Sequence, residues 1–234
     1  MLELAGVNAY YGQSHILHDI KLSVQQGERI AVLGRNGSGK TTLLKSIMNA
    51  GPTVQGSIHF RSRDLAGLQA NQRARLGLAL VPEDRRIFGH LTSVENLEIS
   101  QYAACKDREA ISADELLGRF PMLAPLRDRL GSQMSGGQQQ MLAVARGIAA
   151  RPYLMLLDEP TEGLAPLIVS ELATEVVSCC ERYDVGLILA EQSIWFARQC
   201  TGRVIVVDAG RIAFAGSWSE FDDASARIQR HLAL

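Results

Sequence analysis

The chain has 234 residues, 47% of them hydrophobic, and its 24 lysines and arginines nearly balance 25 aspartates and glutamates for a formal charge of -1. That size suffices for one substantial core, or a core with a satellite subdomain, and the near-neutral balance argues against a surface dedicated to nucleic acid. No run approaches the roughly 18 apolar residues of a membrane span, no leader-like segment opens the chain, and Cys105, Cys179, Cys180 and Cys200 lack metal-ligand spacing, so a soluble cytosolic protein with reduced, packed thiols is expected.

In chain order, residues 2–7 and 20–24 alternate apolar and polar as strands do, and a turn at Gln26-Gly27-Glu28 leads to the apolar strand 29–33. A helix is expected over 42–48, then strands at 57–60 and 78–81. From Thr92 the character becomes helical: Thr92 with Glu95 fits a capping box, Pro121 closes the segment 114–120, and a long helical run covers 139–149. Residues 154–157 are a continuous apolar run suited to a buried parallel strand. A helix over 167–180, a buried strand at 186–190 and a hairpin of 204–207 with 212–214 complete the order. This pattern predicts an α/β nucleotide-binding core, 1–87 and 151–234, with a helical insertion over about 88–150.

Three strings carry chemistry. Gly34-Arg35-Asn36-Gly37-Ser38-Gly39-Lys40-Thr41 matches G-x-x-x-x-G-K-[ST] between a strand and a helix, and Thr42 continues it. Its glycines let amide N–H groups converge on phosphate oxygens at a helix N-terminus, Lys40 supplies a point charge, and the Thr41 hydroxyl suits magnesium, so ATP or GTP is the expected ligand. Asp158 and Glu159 follow the apolar strand 154–157 at its C-terminal end, where ligands of open α/β sheets sit; Asp158 is placed for Mg2+ and Glu159 to activate the attacking water. Ser135-Gly136-Gly137-Gln138 opens a helix and offers a second anion site. One ATP pocket has little use for two such sites, which points to the nucleotide of a partner chain.

On these strings nearly the whole chain resembles the ATP-binding cassette (ABC) family, with Met134-Ser135-Gly136-Gly137-Gln138 similar to its signature motif apart from Met at the first position. The resemblance implies a P-loop ATPase with a RecA-like mixed-sheet core, an N-terminal antiparallel β subdomain and an inserted α-helical subdomain. It also implies two cassettes closing head-to-tail over ATP and Mg2+, with Tyr11 against adenine; Tyr10 is a rival for that role. Three positions depart from the commonest pattern: Glu83 stands where Gln is usual, Gln192 where His is usual, and Ala165 where Asp is common. Glu83 retains an oxygen for magnesium, and the Gln192 amide retains a hydrogen bond for a γ-phosphate without becoming cationic.

These departures imply a heterodimer with a second ATPase subunit, although the isolated chain has a homodimer open to it. Val81-Pro82-Glu83, Arg85-Arg86-Ile87-Phe88 and Glu191-Gln192 are similar to ATPase subunits of branched-chain amino-acid and urea/short-amide importers. Tyr10-Tyr11-Gly12 and Asp158-Glu159-Pro160-Thr161-Glu162-Gly163 lie nearer the urea-type second subunit. The implied partners are two membrane-spanning permease subunits and an extracytoplasmic solute-binding protein, with no nucleic acid, and the implied place is peripheral, on the cytoplasmic face of the cell's inner membrane. Arg85, Arg86 and Phe88 are expected at the permease-docking groove or, alternatively, in an exposed basic turn. A soluble cassette ATPase acting on DNA or ribosomes is the alternative; a GTPase or kinase leaves Ser135-Gly136-Gly137 without a role.

Overall fold

In the computed structural model, which describes residues 1–105 and 107–224, each central strand sends alternate residues to opposite sides. The elements, in order, are β1 (Leu2–Tyr11), β2 (Ser14–Val24), β3 (Arg29–Leu33), α1 (Lys40–Met48), β4 (Thr53–Phe60), β5 (Arg63–Asp64), α2 (Ala70–Arg75), β6 (Leu78–Val81), α3 (Ser93–Gln101), α4 (Ala113–Arg119), α5 (Gly136–Ala149), β7 (Leu154–Asp158), α6 (Pro166–Tyr183), β8 (Gly186–Glu191), α7 (Ile194–Cys200), β9 (Arg203–Asp208), β10 (Arg211–Ser217) and α8 (Trp218–Asp223). They build an antiparallel sheet ordered β2-β1-β4-β5 and a mixed sheet ordered β10-β9-β3-β8-β7-β6. Within the mixed sheet β9, β3, β8, β7 and β6 are mutually parallel and only β10 runs against its neighbour.

The two cores follow from the two-residue period of a strand. Leu33, Leu157, Leu189 and Val206 join a cluster with Met141, Leu142, Leu172 and Phe196 from the helices on one face. Their neighbours Val32, Leu156, Ile188 and Ile205 face the other way, onto Leu43, Leu44 and Ile47 of α1 and the inner face of the antiparallel sheet. Both faces of the central strands are thus covered, which is why they read as unbroken apolar runs rather than alternating ones. Parallel order brings the C-terminal ends of β3, β7 and β8 side by side, with Leu33 opposite Glu191 and Asp158 opposite Ala190.

The helices α3 to α5 occupy the stretch where an insertion is expected. The Thr92 capping box is present, its hydroxyl accepting from the Glu95 N–H at 3.3 Å while Glu95 accepts from Thr92 N–H at 2.7 Å. Helix α5 starts at Gly136, with the expected Ser135-Gly136-Gly137 string at its N-terminus and the expected run 139–149 inside it, and the Ser135 hydroxyl caps it by accepting from the Gln138 N–H. The antiparallel strands extend beyond their alternating portions, β1 to Tyr11 and β2 back to Ser14. Three helices carry no periodicity long enough to read: α2, α7 and α8. Helix α2 is polar, and its buried Arg73 donates to the carbonyls of Leu65, Leu68, Ser46 and Ile47, a set assembled only by tertiary contact.

Candidate nucleotide site

The loop from Gly34 to Gly39 links β3 to α1, and its backbone demands glycine at defined places. Gly37 and Gly39 have φ of 78° and 112°, a region that L side chains rarely adopt. A Cβ on Gly34 would lie 2.4 Å from the Val207 carbonyl oxygen, and one on Gly39 would lie 2.8 Å from Leu17 Cδ2. The loop therefore folds tightly against β9 and β2, leaving its other side open. Beside it lies a cleft of about 400 Å³ lined by Tyr11, Ile16, Asn36, Gly37, Gly39, Lys40, Thr41, Thr42, Glu83, Glu159 and Glu162.

Lys40 begins α1 and is buried. Its Nζ donates to the carbonyls of Gly34 at 2.8 Å and Arg35 at 3.1 Å, and pairs with Glu159 Oε1 at 2.9 Å. Glu159 sits just past β7 with φ of 43°, its N–H donating to the Ala190 carbonyl at 2.9 Å; the left-handed turn aims the carboxylate back over the loop. The second Glu159 oxygen accepts from Gln192 Nε2 at 2.6 Å, and the same amide reaches Asn36 Oδ1 at 2.7 Å. The sequence places Asn36 and Lys40 in one string and Glu159 and Gln192 in two others; the meeting of three strand ends brings all four into one chain of contacts. Thr41 Oγ1 donates to Asp158 Oδ1 at 3.0 Å.

The electrostatics are lopsided. Burial pushes the Asp158 carboxyl above its ordinary value, with the Thr41 hydrogen bond opposing. Glu83 is likewise raised, first by desolvation and then by Glu162, Glu159 and Asp158 around it. Four acids thus surround a cleft whose lining carries one lysine, and a bound cation would relieve them. Among the described residues no group of three or more His, Cys, Asp and Glu side chains is arranged to hold a metal. The Thr41 hydroxyl with Asp158 instead suits a hard cation whose remaining ligands are phosphate and water oxygens, as magnesium prefers. The Ser38 hydroxyl is buried without a partner, so the loop's donor set has capacity for an anion.

Tyr11 lines the cleft, whereas Tyr10 stacks on His15 with ring centroids 4.3 Å apart. Ser135, Gly136, Gly137 and Gln138 are not among its lining residues; they stand at the N-terminus of α5, where Ser135 N–H donates to Gln138 Oε1 at 2.9 Å. Arg85, expected at the surface groove, turns inward: its Nε donates to Gln140 Oε1 at 3.1 Å. Arg86 pairs with Asp84 at 2.9 Å and Phe88 remains exposed. Two contributors escaped the sequence reading. Glu162 lines the cleft, and the buried Glu191 accepts from the Thr161 hydroxyl at 2.6 Å and from the N–H groups of Thr161, Gln192 and Ser193, fixing the Gln192 turn. Burial also raises Glu191. Its only sequence signal was an acid ending a buried strand.

A phosphate cradle on a parallel sheet, with a carboxylate pair at the neighbouring strand end, defines a P-loop nucleotide-hydrolysing protein. The model of the ABC transporter family matches residues 17–162. The high-affinity branched-chain amino acid transport ATP-binding protein BraG of Pseudomonas aeruginosa is 38% identical over 91% of each chain. The probable branched-chain amino acid transport ATP-binding protein LivF of Archaeoglobus fulgidus is 32% identical over 94% of this chain and 93% of its own. Among solved structures, a dimeric ATP-binding cassette in a post-hydrolysis state bound to ADP and Pi superposes with a TM-score of 0.81 at 25% identity, over 93% of this chain and 98% of that one. The chain belongs to the ABC transporter family and is an ATP-hydrolysing cassette. Among the described residues no helix is long and apolar enough to cross a membrane.

Proposed function

We propose that this cassette powers a membrane importer for branched-chain amino acids, working at the cytoplasmic face of the cell membrane with two permease subunits, a second ATPase subunit and an extracytoplasmic solute-binding protein. The observation that carries the solute class is the 38% identity to BraG across 91% of both chains. Urea or short amides form the second reading, favoured by the Tyr10-Tyr11-Gly12 and Glu162-Gly163 strings described above. A cassette does not touch the solute, so its own site chemistry is indifferent between them. A soluble cassette acting on DNA or ribosomes is not favoured, since the relatives named above are transport proteins over nearly their full length.

In this reading the amides of residues 34–42 cradle the β- and γ-phosphates of ATP, and Tyr11 packs against adenine, a contact typically worth about 1–3 kcal/mol. Lys40 exchanges its Glu159 partner for phosphate oxygens. Thr41 and Asp158, with Glu83 nearby, would hold Mg2+, which neutralises phosphate charge when bound. Glu159, released from Lys40, accepts the proton of the attacking water, while Gln192 holds the γ-phosphate and keeps Glu159 in line. Ser135, Gly136, Gly137 and Gln138 serve the nucleotide on the partner cassette through hydroxyl, N–H groups and the α5 dipole. Closure of two cassettes over ATP moves the permeases, and hydrolysis resets them.

Reconstitution of the complete transporter in vesicles tests the solute assignment. ATP-dependent uptake of leucine, isoleucine or valine is expected; uptake of urea with none of these amino acids moves the assignment to the second reading.

A further inference from the structure

A pocket of about 310 Å³ shares no lining residue with the nucleotide cleft; Phe120, Pro121, Met122, Met141, Glu171 and Glu175 form its wall. Phe120 and Met122 follow α4, Met141 belongs to α5, and the two glutamates stand one turn apart on α6. Phe120 and Met141 are fully buried, and Met122 packs half-buried against the same core. The floor is therefore apolar, and its two methionines carry unbranched thioethers that adapt to the shape of what they touch.

The rim is charged and unpaired. Glu175 is half-buried, and among the described residues nothing hydrogen-bonds to it or pairs with it at contact distance. Burial pushes its carboxyl above the ordinary value; Arg119 opposes this through space and Glu171 reinforces it. Arg119 lines a groove with Ser170 and Thr174 on the same stretch of α6, and no carboxylate among the described residues reaches it at salt-bridge distance. A ligand here meets three demands. Its apolar part must cover the floor, a cation must answer the two glutamates, and an anion is welcome only at Arg119. Phosphate-bearing molecules are repelled by the acids, and a plain hydrocarbon leaves Glu175 without a counter-charge. An apolar α-amino acid satisfies all three, and the volume lies at the small end of the roughly 300–1,000 Å³ typical of ligand sites.

We propose that this pocket binds a free branched-chain amino acid, its side chain on Phe120, Met122 and Met141, its ammonium at Glu171 and Glu175, and its carboxylate toward Arg119. The pocket is closed by α5, which begins at the Ser135 cap, and by α6, which follows the segment after Glu159. Occupancy from the cytoplasmic side thus bears on two helices that lead to the ATP site and slows turnover as imported solute accumulates. This feedback role rests on the importer reading above; the binding site does not.

The test uses the full chain and titration calorimetry with L-leucine, with thermal midpoint reporting folding and a fluorescent ATP analogue reporting an intact nucleotide cleft. Saturable binding of leucine in the millimolar range or tighter is expected, with no binding of 4-methylpentanoate, which lacks the ammonium, and weaker binding of 3-methylbutylamine, which lacks the carboxylate. Glu175→Gln should weaken leucine binding by about tenfold, the loss of one charge-assisted contact, and Met122→Lys should abolish it by placing an ammonium of the protein's own beside the glutamates. Glu181→Gln, on the same helix but outside this pocket, should change nothing, and each variant should bind the ATP analogue as the parent does. Absence of saturable leucine binding overturns the proposal, as does binding indifferent to both Glu175→Gln and Met122→Lys, or equal affinity for leucine and either truncated analogue. In the reconstituted transporter, leucine on the cassette side should lower ATP turnover in the parent and not in Glu175→Gln; turnover unaffected by saturating leucine overturns the feedback role. Uptake of urea with none of the branched-chain amino acids would instead mark failure of the importer reading, an outcome distinct from loss of leucine binding by the cassette.

Discussion

Lys40 and Glu159 form an ion pair in which both side chains are almost wholly buried, so each charge depends on the other until phosphate arrives. Glu159→Gln removes the base and releases Lys40 together. ATP binding should persist or tighten, while turnover falls by about 10²- to 10⁴-fold, measured by phosphate release; turnover near the parent rate removes Glu159 from the base role. Asp158 yields a second expectation through its raised carboxyl. Because the folded state binds the proton more tightly than the unfolded one, stability is lost as pH rises from the ordinary carboxylate value of about 4 through the raised value. Glu83 and Glu191 act in the same direction. In nucleotide-free protein, Asp158→Asn should raise the thermal midpoint near neutrality, the gain shrinking as pH falls toward about 4. An equal shift at all pH values would mean that the effect is not Asp158 ionisation.

Elements whose signals are local were legible in the sequence. The Thr92–Glu95 box, the loop before Lys40 and the apolar strands depend on neighbours in the chain, and they fold where expected. Helices α2, α7 and α8, of six or seven residues, were not legible, because they are held by capping and by contacts from distant segments such as those of Arg73. The capping box allows a direct measurement. Thr92→Ala leaves the Glu95 N–H without its side-chain acceptor and should cost about 1 kcal/mol, or about 2–4 °C in thermal midpoint for a domain of this size. The ATP analogue should bind with unchanged affinity, since Thr92 lies outside the cleft lining.

The whole molecule places the starts of α1 and α5, the two helix ends proposed above to bind phosphate, in different settings: the start of α1 in the cleft, and the start of α5 outside that cleft's lining beside Arg85. An isolated cassette with that layout would have half of each composite site. Purified alone, the chain should hydrolyse ATP weakly, and adding the second ATPase subunit with the permeases should raise the rate by roughly tenfold or more, the equivalent of about 1.4 kcal/mol of barrier. Robust cooperative turnover by the isolated chain would count against a heterodimer and favour two copies of this cassette. Phosphate release across a concentration series of the single chain separates the cases.

By itself the sequence determined the phosphate loop, the acids after β7, the capped helix at Ser135 and the α/β order, because each depends on residues a few positions apart. Only the tertiary structure decided which groups meet: Gln192 with both Asn36 and Glu159, Glu191 with Thr161, and Arg85 with Gln140. Those pairs are separated by 30 to 156 positions in the chain. They are brought together by parallel strand order and helix packing, which no local periodicity encodes.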